Sequence, residues 1–226
     1  MFQLTDNRFI TDLEYDLNQL TPSISADTMK AHYNGHYLRY CDNLATLIVD
    51  TSYEAMNIED IIHNSLRERS NPIYHNAAQI YNHDFYFAQF GKEKLDSVTG
   101  EFSNAIDNDF GSMEELKSTF TQKALTLFGS GWVWLVLEQH RQWDAPKLSI
   151  MTTTDADTFI PQDIDEHFIA PLMVCDMWEH SYYLDHTHHR DAYLTSFWDI
   201  LDWETVALRY EEDRVKLFDY TKPFEL

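Results

Sequence analysis

The stretch DMWEHSYYLDHTHHR, residues 176–190, carries four histidines and two adjacent tyrosines behind Asp176. Asp176 and His180 stand four residues apart, with Trp178 between them. Three readings fit this composition: part of a metal site, a cluster of interface aromatics, or a histidine-rich loop. A metal site would need its remaining ligands from elsewhere in the chain.

Working outward, PLMVCDMW (171–178) is one of three short β-rich runs. The others are WVWLVLEQ (132–139) and KLSIMTTT (147–154), and turn-forming or polar residues separate the three. They predict a three-stranded antiparallel sheet, with Asp176 near the end of its last strand. The first half reads helical. In SADTMKAHYNGHYLRYCDNLATLIVD (25–50), Ser25 or Asp27 caps the start, and His32, His36 and Tyr40 fall at i, i+4 and i+8 on one face. HNAAQIYNHDFYFAQF (75–90) predicts a second helix that stops at Gly91, with Ile80, His83 and Phe87 sharing a face. Ser112 and Glu115 form a capping-box pattern opening a third helix to about Ala124. The segment SFWDILDWETVALRYEEDRV returns to helical spacing, with Phe197, Trp198, Ile200 and Leu201 as its apolar side. KEKLDSVTGE (92–101) is polar and turn-like. The expected fold is therefore α+β: an N-terminal helical hairpin domain over 1–95, then an α+β domain over 96–226 with the three-stranded antiparallel sheet.

The bulk composition narrows the function. At 226 residues, 44% hydrophobic and 15% aromatic, the chain is globular and long enough to bury a substantial core. A formal charge of −22 argues against nucleic acid, whose phosphates need clustered Lys and Arg, and against an anionic membrane surface. No apolar run approaches the roughly 20 residues that span a bilayer. The N-terminal MFQLTDNRFITDLEYDL carries acids where a targeting presequence carries bases, so a cytoplasmic location is expected. Cys41 and Cys175 show no CxxC or framework spacing and read as small buried hydrophobes in a reducing compartment.

Of eleven histidines, His63, His140, His167, His186, His188 and His189 sit among polar or charged neighbours and read as surface residues. His32 and His83 lie on apolar helical faces, where a single histidine reads as a hydrogen-bonded core residue. Two on helices that pair as a hairpin, with Asp176 and His180 at a strand end, can converge as three imidazoles and one carboxylate. That donor set suits Fe, Mn or Zn, and the lack of thiolates disfavours a structural zinc or an iron–sulfur cluster. A single anionic ligand leaves excess positive charge on a trivalent ion and lowers the pKa of bound water, which couples electron to proton transfer.

DMWEHSYY (176–183) resembles the D-x-W-E-H-x-Y-Y motif of the iron/manganese superoxide dismutases. HYNGHYLRY (32–40) is similar to that family's first-ligand helix, NAAQIYNHDFYF (76–87) to the segment bearing its second histidine ligand, and FGSGWVWLV (128–136) to its glycine-tryptophan strand entry. The resemblance keeps the family order from about residue 20 to 210. It implies His32, His83, Asp176 and His180 as metal ligands, with His36 and Tyr40 lining the substrate channel and Trp132 and Trp178 walling the pocket. It further implies that Glu179 crosses a dimer interface to the ligand His180 of the other subunit, and that Tyr183 reaches the other subunit's channel. Arg190 matches the anion-guiding arginine. Gln79, four residues before His83, matches the iron-type glutamine, and Ala156 occupies the place of the manganese-type one, so iron is expected, with manganese as the alternative metal.

The implied activity is antioxidant: two superoxide anions and two protons become oxygen and hydrogen peroxide, in a homodimer or dimer of dimers. The chain departs from the pattern at Gly35 and Tyr37, where many relatives carry a lysine and a second histidine. It departs again at Asp191, which replaces a proline, and at Phe87, which stands where tryptophan is frequent. These departures leave one alternative, a non-catalytic structural subunit that keeps the fold. The complete ligand set, the His36–Tyr40 pair and Glu179 weigh against it.

Overall fold

The computed structural model describes residues 7–68, 71–91, 98–140, 145–160, 162–164 and 167–220. Helix α1 (Ala26–Met29) starts at Ser25, whose Oγ accepts the Thr28 N–H at 3.2 Å. It runs without a break through a π-helical segment, Lys30–Tyr37, into α2 (Leu38–Leu47), and the Leu38 N–H bonds back five residues to the Tyr33 carbonyl. The expected single α-helix over 25–50 is thus a composite. Periodicity gave no sign of the π turns, because residues four apart stay near one face in both helix types.

Helix α3 (Ile58–Arg67) had no counterpart in the sequence reading. Asn57 caps it by accepting the Asp60 N–H at 2.8 Å, and Ile61, Ile62 and Ser65 form its buried side. Helix α4 (Asn71–Phe87) packs against α2 and α3, giving the helical hairpin. It begins four residues before the predicted start, because Pro72 sits in its first turn, where the missing N–H costs no intrahelical bond. Residues 92–97 of the expected domain boundary lie outside the described residues. Helix α5 (Glu101–Phe110), also unforeseen, begins at the end of that polar stretch, and α6 (Met113–Thr126) follows with Ser112 as its cap. The Ser112 Oγ accepts the Glu115 N–H at 3.1 Å, as the capping-box pattern requires.

Strands β1 (Gly131–His140), β2 (Lys147–Thr154) and β4 (His167–Asp176) are the three expected strands, paired antiparallel with β1 in the centre. A short strand β3 (Gln162–Ile164) adds an edge, for the order β2-β1-β4-β3. Strand β4 ends at Asp176 rather than 178, because the Met177 N–H turns back to the Gly131 carbonyl at 2.9 Å. Its register on β1 shifts between Leu135 and Val136, which face Met173 and Pro171, so Leu172 bulges from the ladder. Nearly every residue of β1 is buried, since α4 and α9 pack on β4 while α5 and α6 pack on β2. At the start of β1, a Cβ on Gly131 would collide with the Thr153 carbonyl. After β4 come α7 (Tyr183–His186), α8 (Arg190–Ile200) and α9 (Trp203–Tyr220). The single helical stretch expected there is broken at Leu201–Asp202, where the Asp202 carboxylate caps α9 by accepting from the Glu204 N–H and the Thr205 hydroxyl. Among the described residues no helix is long and apolar enough to cross a membrane, and both cysteines are free and buried.

Candidate metal centre

Four elements converge on one point. The π-helical segment brings His32, α4 brings His83, the end of β4 brings Asp176, and the turn after it brings His180. One donor atom from each lies within 4.8 Å of all the others. From Asp176 Oδ2, the Nε2 atoms of His32, His180 and His83 are 3.1, 3.3 and 3.8 Å away. These four atoms are buried, and none makes a hydrogen bond. Four unpaired polar atoms facing one another in a core are costly unless something binds them all, as a cation would. The donor set fits a redox metal ion.

The surrounding bonds aim these atoms. The Trp178 N–H donates to Asp176 Oδ1 at 2.8 Å, which leaves Oδ2 for the centre. The Ser181 hydroxyl reaches both the Asp176 and Trp178 carbonyls, at 2.9 and 2.8 Å, and holds the turn that carries His180 back over Asp176. His83 Nδ1 lies 2.6 Å from the Gln79 carbonyl, which can only accept. The proton therefore sits on Nδ1, and the Nε2 lone pair faces the centre. Burial drives the His32 and His83 pKa values down, so both imidazoles are neutral. Burial alone would push the Asp176 carboxyl up, but His180 and His32 beside it outweigh this and keep it below the usual carboxylate range. Metal binding takes each imidazole through a neutral nitrogen lone pair, so three histidines and one carboxylate holding an ion would carry a charge of about −1.

Around this set, His36 stacks on His180 with centroids 4.0 Å apart, and its pKa is lowered to about 4 by burial and by His180 and His32. The Gln79 Nε2 donates to the Tyr40 hydroxyl at 3.3 Å, while its Oε1 is buried without a partner. Trp132 stands edge-on to His83 at 5.0 Å, and Trp178 lies against His180 at 5.7 Å. Glu179 and Tyr183 are exposed. Arg190 directs Nε to the Tyr182 hydroxyl at 3.0 Å, and Nη1 and Nη2 to the Leu127 and Gly129 carbonyls, each at 2.7 Å.

Two matches to family models cover most of the chain. Residues 9–91 match the alpha-hairpin domain of the iron/manganese superoxide dismutases, and residues 98–209 match their C-terminal domain. The chain belongs to the iron/manganese superoxide dismutase family. It is 36% identical over 202 residues to a protein of Coxiella burnetii named Superoxide dismutase [Fe], covering 89% of this chain and 97% of that one. Proteins with the same name from Salmonella typhimurium and Plasmodium falciparum are 39% and 38% identical, covering 86% and 84% of this chain and 94% and 90% of theirs.

The departures from the dismutase pattern have structural counterparts. Tyr37 is fully buried; its hydroxyl accepts the Thr11 N–H at 2.7 Å and donates to Asp84 at 2.6 Å, tying the segment before α1 to α4. Phe87 packs on His32 at 4.9 Å. Gly35 and Asp191 are exposed.

Sequence reasoning passed over Asn82 and Ser181. Oriented to satisfy its neighbours, the Asn82 amide accepts from Trp132 Nε1 at 3.2 Å and donates to the Thr158 hydroxyl at 2.6 Å. Its adjacency to His83 was the only local cue. Three of the six histidines read as surface residues are half-buried: His140, His167 and His186. His167 pairs with the buried Glu138 at 2.9 Å, which the local polarity of its neighbours concealed.

Proposed function

We propose that this member of the family is an active superoxide dismutase working with iron, with His32, His83, Asp176 and His180 as ligands. The carrying observation is the convergence of four buried, unpaired donor atoms. The iron named in the relatives, and Gln79 four residues before His83 with Ala156 in the alternative place, support iron over manganese.

A redox metal held here supplies one-electron chemistry, oxidising one superoxide to dioxygen and reducing a second, which two protons complete to hydrogen peroxide. Asp176 contributes the only negative charge of the ligand set. Burial raises the Tyr40 pKa, so its hydroxyl keeps its proton at neutral pH and can donate it in a hydrogen bond at the channel. The Gln79 amide is fixed against Tyr40 through Nε2 and keeps its Oε1 buried and unpaired. His36 stays neutral and narrows the approach over His180. Trp132, Trp178 and Phe87 exclude water from the other sides. Arg190 holds the 127–129 turn at the mouth and adds positive charge for an anionic substrate.

The reading includes a homodimer or dimer of dimers. Phe128 is 98% exposed, Leu184 64% and Tyr183 47%, large apolar side chains that a second copy would cover, and in this reading the exposed Glu179 reaches the His180 of the other subunit. Free cysteines fit a reducing, cytoplasmic location. Units of 1–95 and 96–226 fit the two matched segments. Substituting His83→Ala tests the ligand assignment: metal content should fall, and dismutation should drop by more than ~100-fold, since outer-shell changes alone cost 10–100-fold. Full metal content and full activity in that variant would remove His83 from the site.

A further inference from the structure

Val174 lies in β4 opposite Trp134 of β1, two residues before Asp176. Its N–H and C=O face away from β1, toward the side where a sheet would continue with another strand. Among the described residues no strand lies beside Val174 on that side, and a buried backbone pair left open is costly. The Gln89 side chain fills the place. Its Nε2 donates to the Val174 carbonyl at 2.5 Å, and its Oε1 accepts the Val174 N–H at 3.1 Å, as a strand partner would. The Gln89 carbonyl also accepts the Asp202 N–H at 3.0 Å, so the segment after α4, the end of β4 and the start of α9 meet at one fully buried residue.

Arg209 spans the same gap further along. Its Nη2 donates to the Phe85 carbonyl at 3.3 Å, its Nη1 to the carbonyl of the bulged Leu172 at 3.0 Å, and its guanidinium lies 3.7 Å over the Phe85 ring. Arg209 joins α4, which carries His83, to β4, which carries Asp176, and Gln89 ties the segment just after α4 to the same strand. The 3.8 Å between His83 Nε2 and Asp176 Oδ2 is the longest of the three histidine–aspartate approaches.

We propose that Gln89 is a positioning residue of the metal centre: by acting as a one-residue strand partner for Val174, it sets Asp176 against His83 and thereby how tightly the centre holds its metal. This rests on the reading of the four residues as metal ligands. The test is Gln89→Met, which keeps the length and volume but loses both bonds, alongside Leu116→Ala, a buried change on α6 away from the centre. Iron dissociation into a chelator and the electron paramagnetic resonance spectrum of the ferric protein are measured on each. Gln89→Met should speed metal loss by ~10-fold or more and shift the spectrum, whereas Leu116→Ala should lower stability and leave both readouts at wild-type values. Gln89→Asn, with the amide on a shorter stem, should fall between and covers the case in which the methionine variant does not fold. Wild-type dissociation and spectrum in both Gln89 variants would overturn the proposal while leaving the ligand assignment intact. A wild-type chain that takes up no metal would overturn both.

Discussion

At the scale of single residues, the centre depends on how each donor's second atom is occupied. Asp176 gives Oδ1 to a backbone N–H and keeps Oδ2 for the centre, and His83 gives its Nδ1 proton to the Gln79 carbonyl. The same burial makes the metal-free site sensitive to acid. The pKa values of His32, His36 and His83 are lowered in the fold, that of His36 to about 4. Between the ordinary imidazole value of about 6.5 and the lowered ones, the unfolded chain binds more protons, so stability falls as pH falls through that window. Asp84, raised to about 6 by burial, works in the opposite direction, because the folded state then holds the extra proton. Three histidines outweigh one carboxyl. The melting temperature of the metal-free protein should therefore drop on going from about pH 7.5 to about pH 5.5, and an unchanged or rising midpoint would count against neutral buried histidines. His32 and His83 were legible as apolar-face histidines, but nothing local in the sequence distinguished a ligand from a satisfied core histidine. The resemblance joined them, because convergence over 148 residues of chain, from His32 to His180, leaves no local trace.

Among the elements, the strands were the most legible, since β1, β2 and β4 are short runs rich in β-branched and aromatic residues. The edge strand β3 spans only three residues, too few to show alternation. Helices α3 and α5 were missed for different reasons: α3 is short with a narrow isoleucine stripe, and α5 opens beside residues that read as a turn. The π turns around His32 leave the four-residue spacing intact and so cannot be read from pattern. Gln89 could not be found either, because its partner is the backbone of a strand 85 residues away. The junction of β1 and β2 gives an element-scale prediction. A methyl at Gly131 would press on the Thr153 carbonyl, next to Trp132 and opposite the turn from Asp176. Gly131→Ala should cost about 1–3 kcal/mol, read as a melting temperature lowered by roughly 2–10 °C. A wild-type midpoint would show that the strand entry relaxes freely.

For the whole molecule, the acidic surface and the exposed apolar set describe different faces of the chain's chemistry. The charge of −22 keeps the surface solvated, whereas Phe128, Tyr183 and Leu184 are large apolar side chains left exposed. Arg190 holds the Leu127 and Gly129 carbonyls on either side of Phe128, so the ring is presented rather than loose. A carboxylate placed there would have to be desolvated in an interface. If the proposed homodimer forms through this face, Phe128→Asp should shift it to monomers in sedimentation, and an unchanged dimer would move the interface elsewhere. The most direct test of the account is the dismutation rate per bound metal atom, measured on protein loaded separately with iron and with manganese. Fast turnover is expected with iron and much slower turnover with manganese. No turnover with either metal, in protein shown to hold it, would rule out a dismutase and favour a structural subunit.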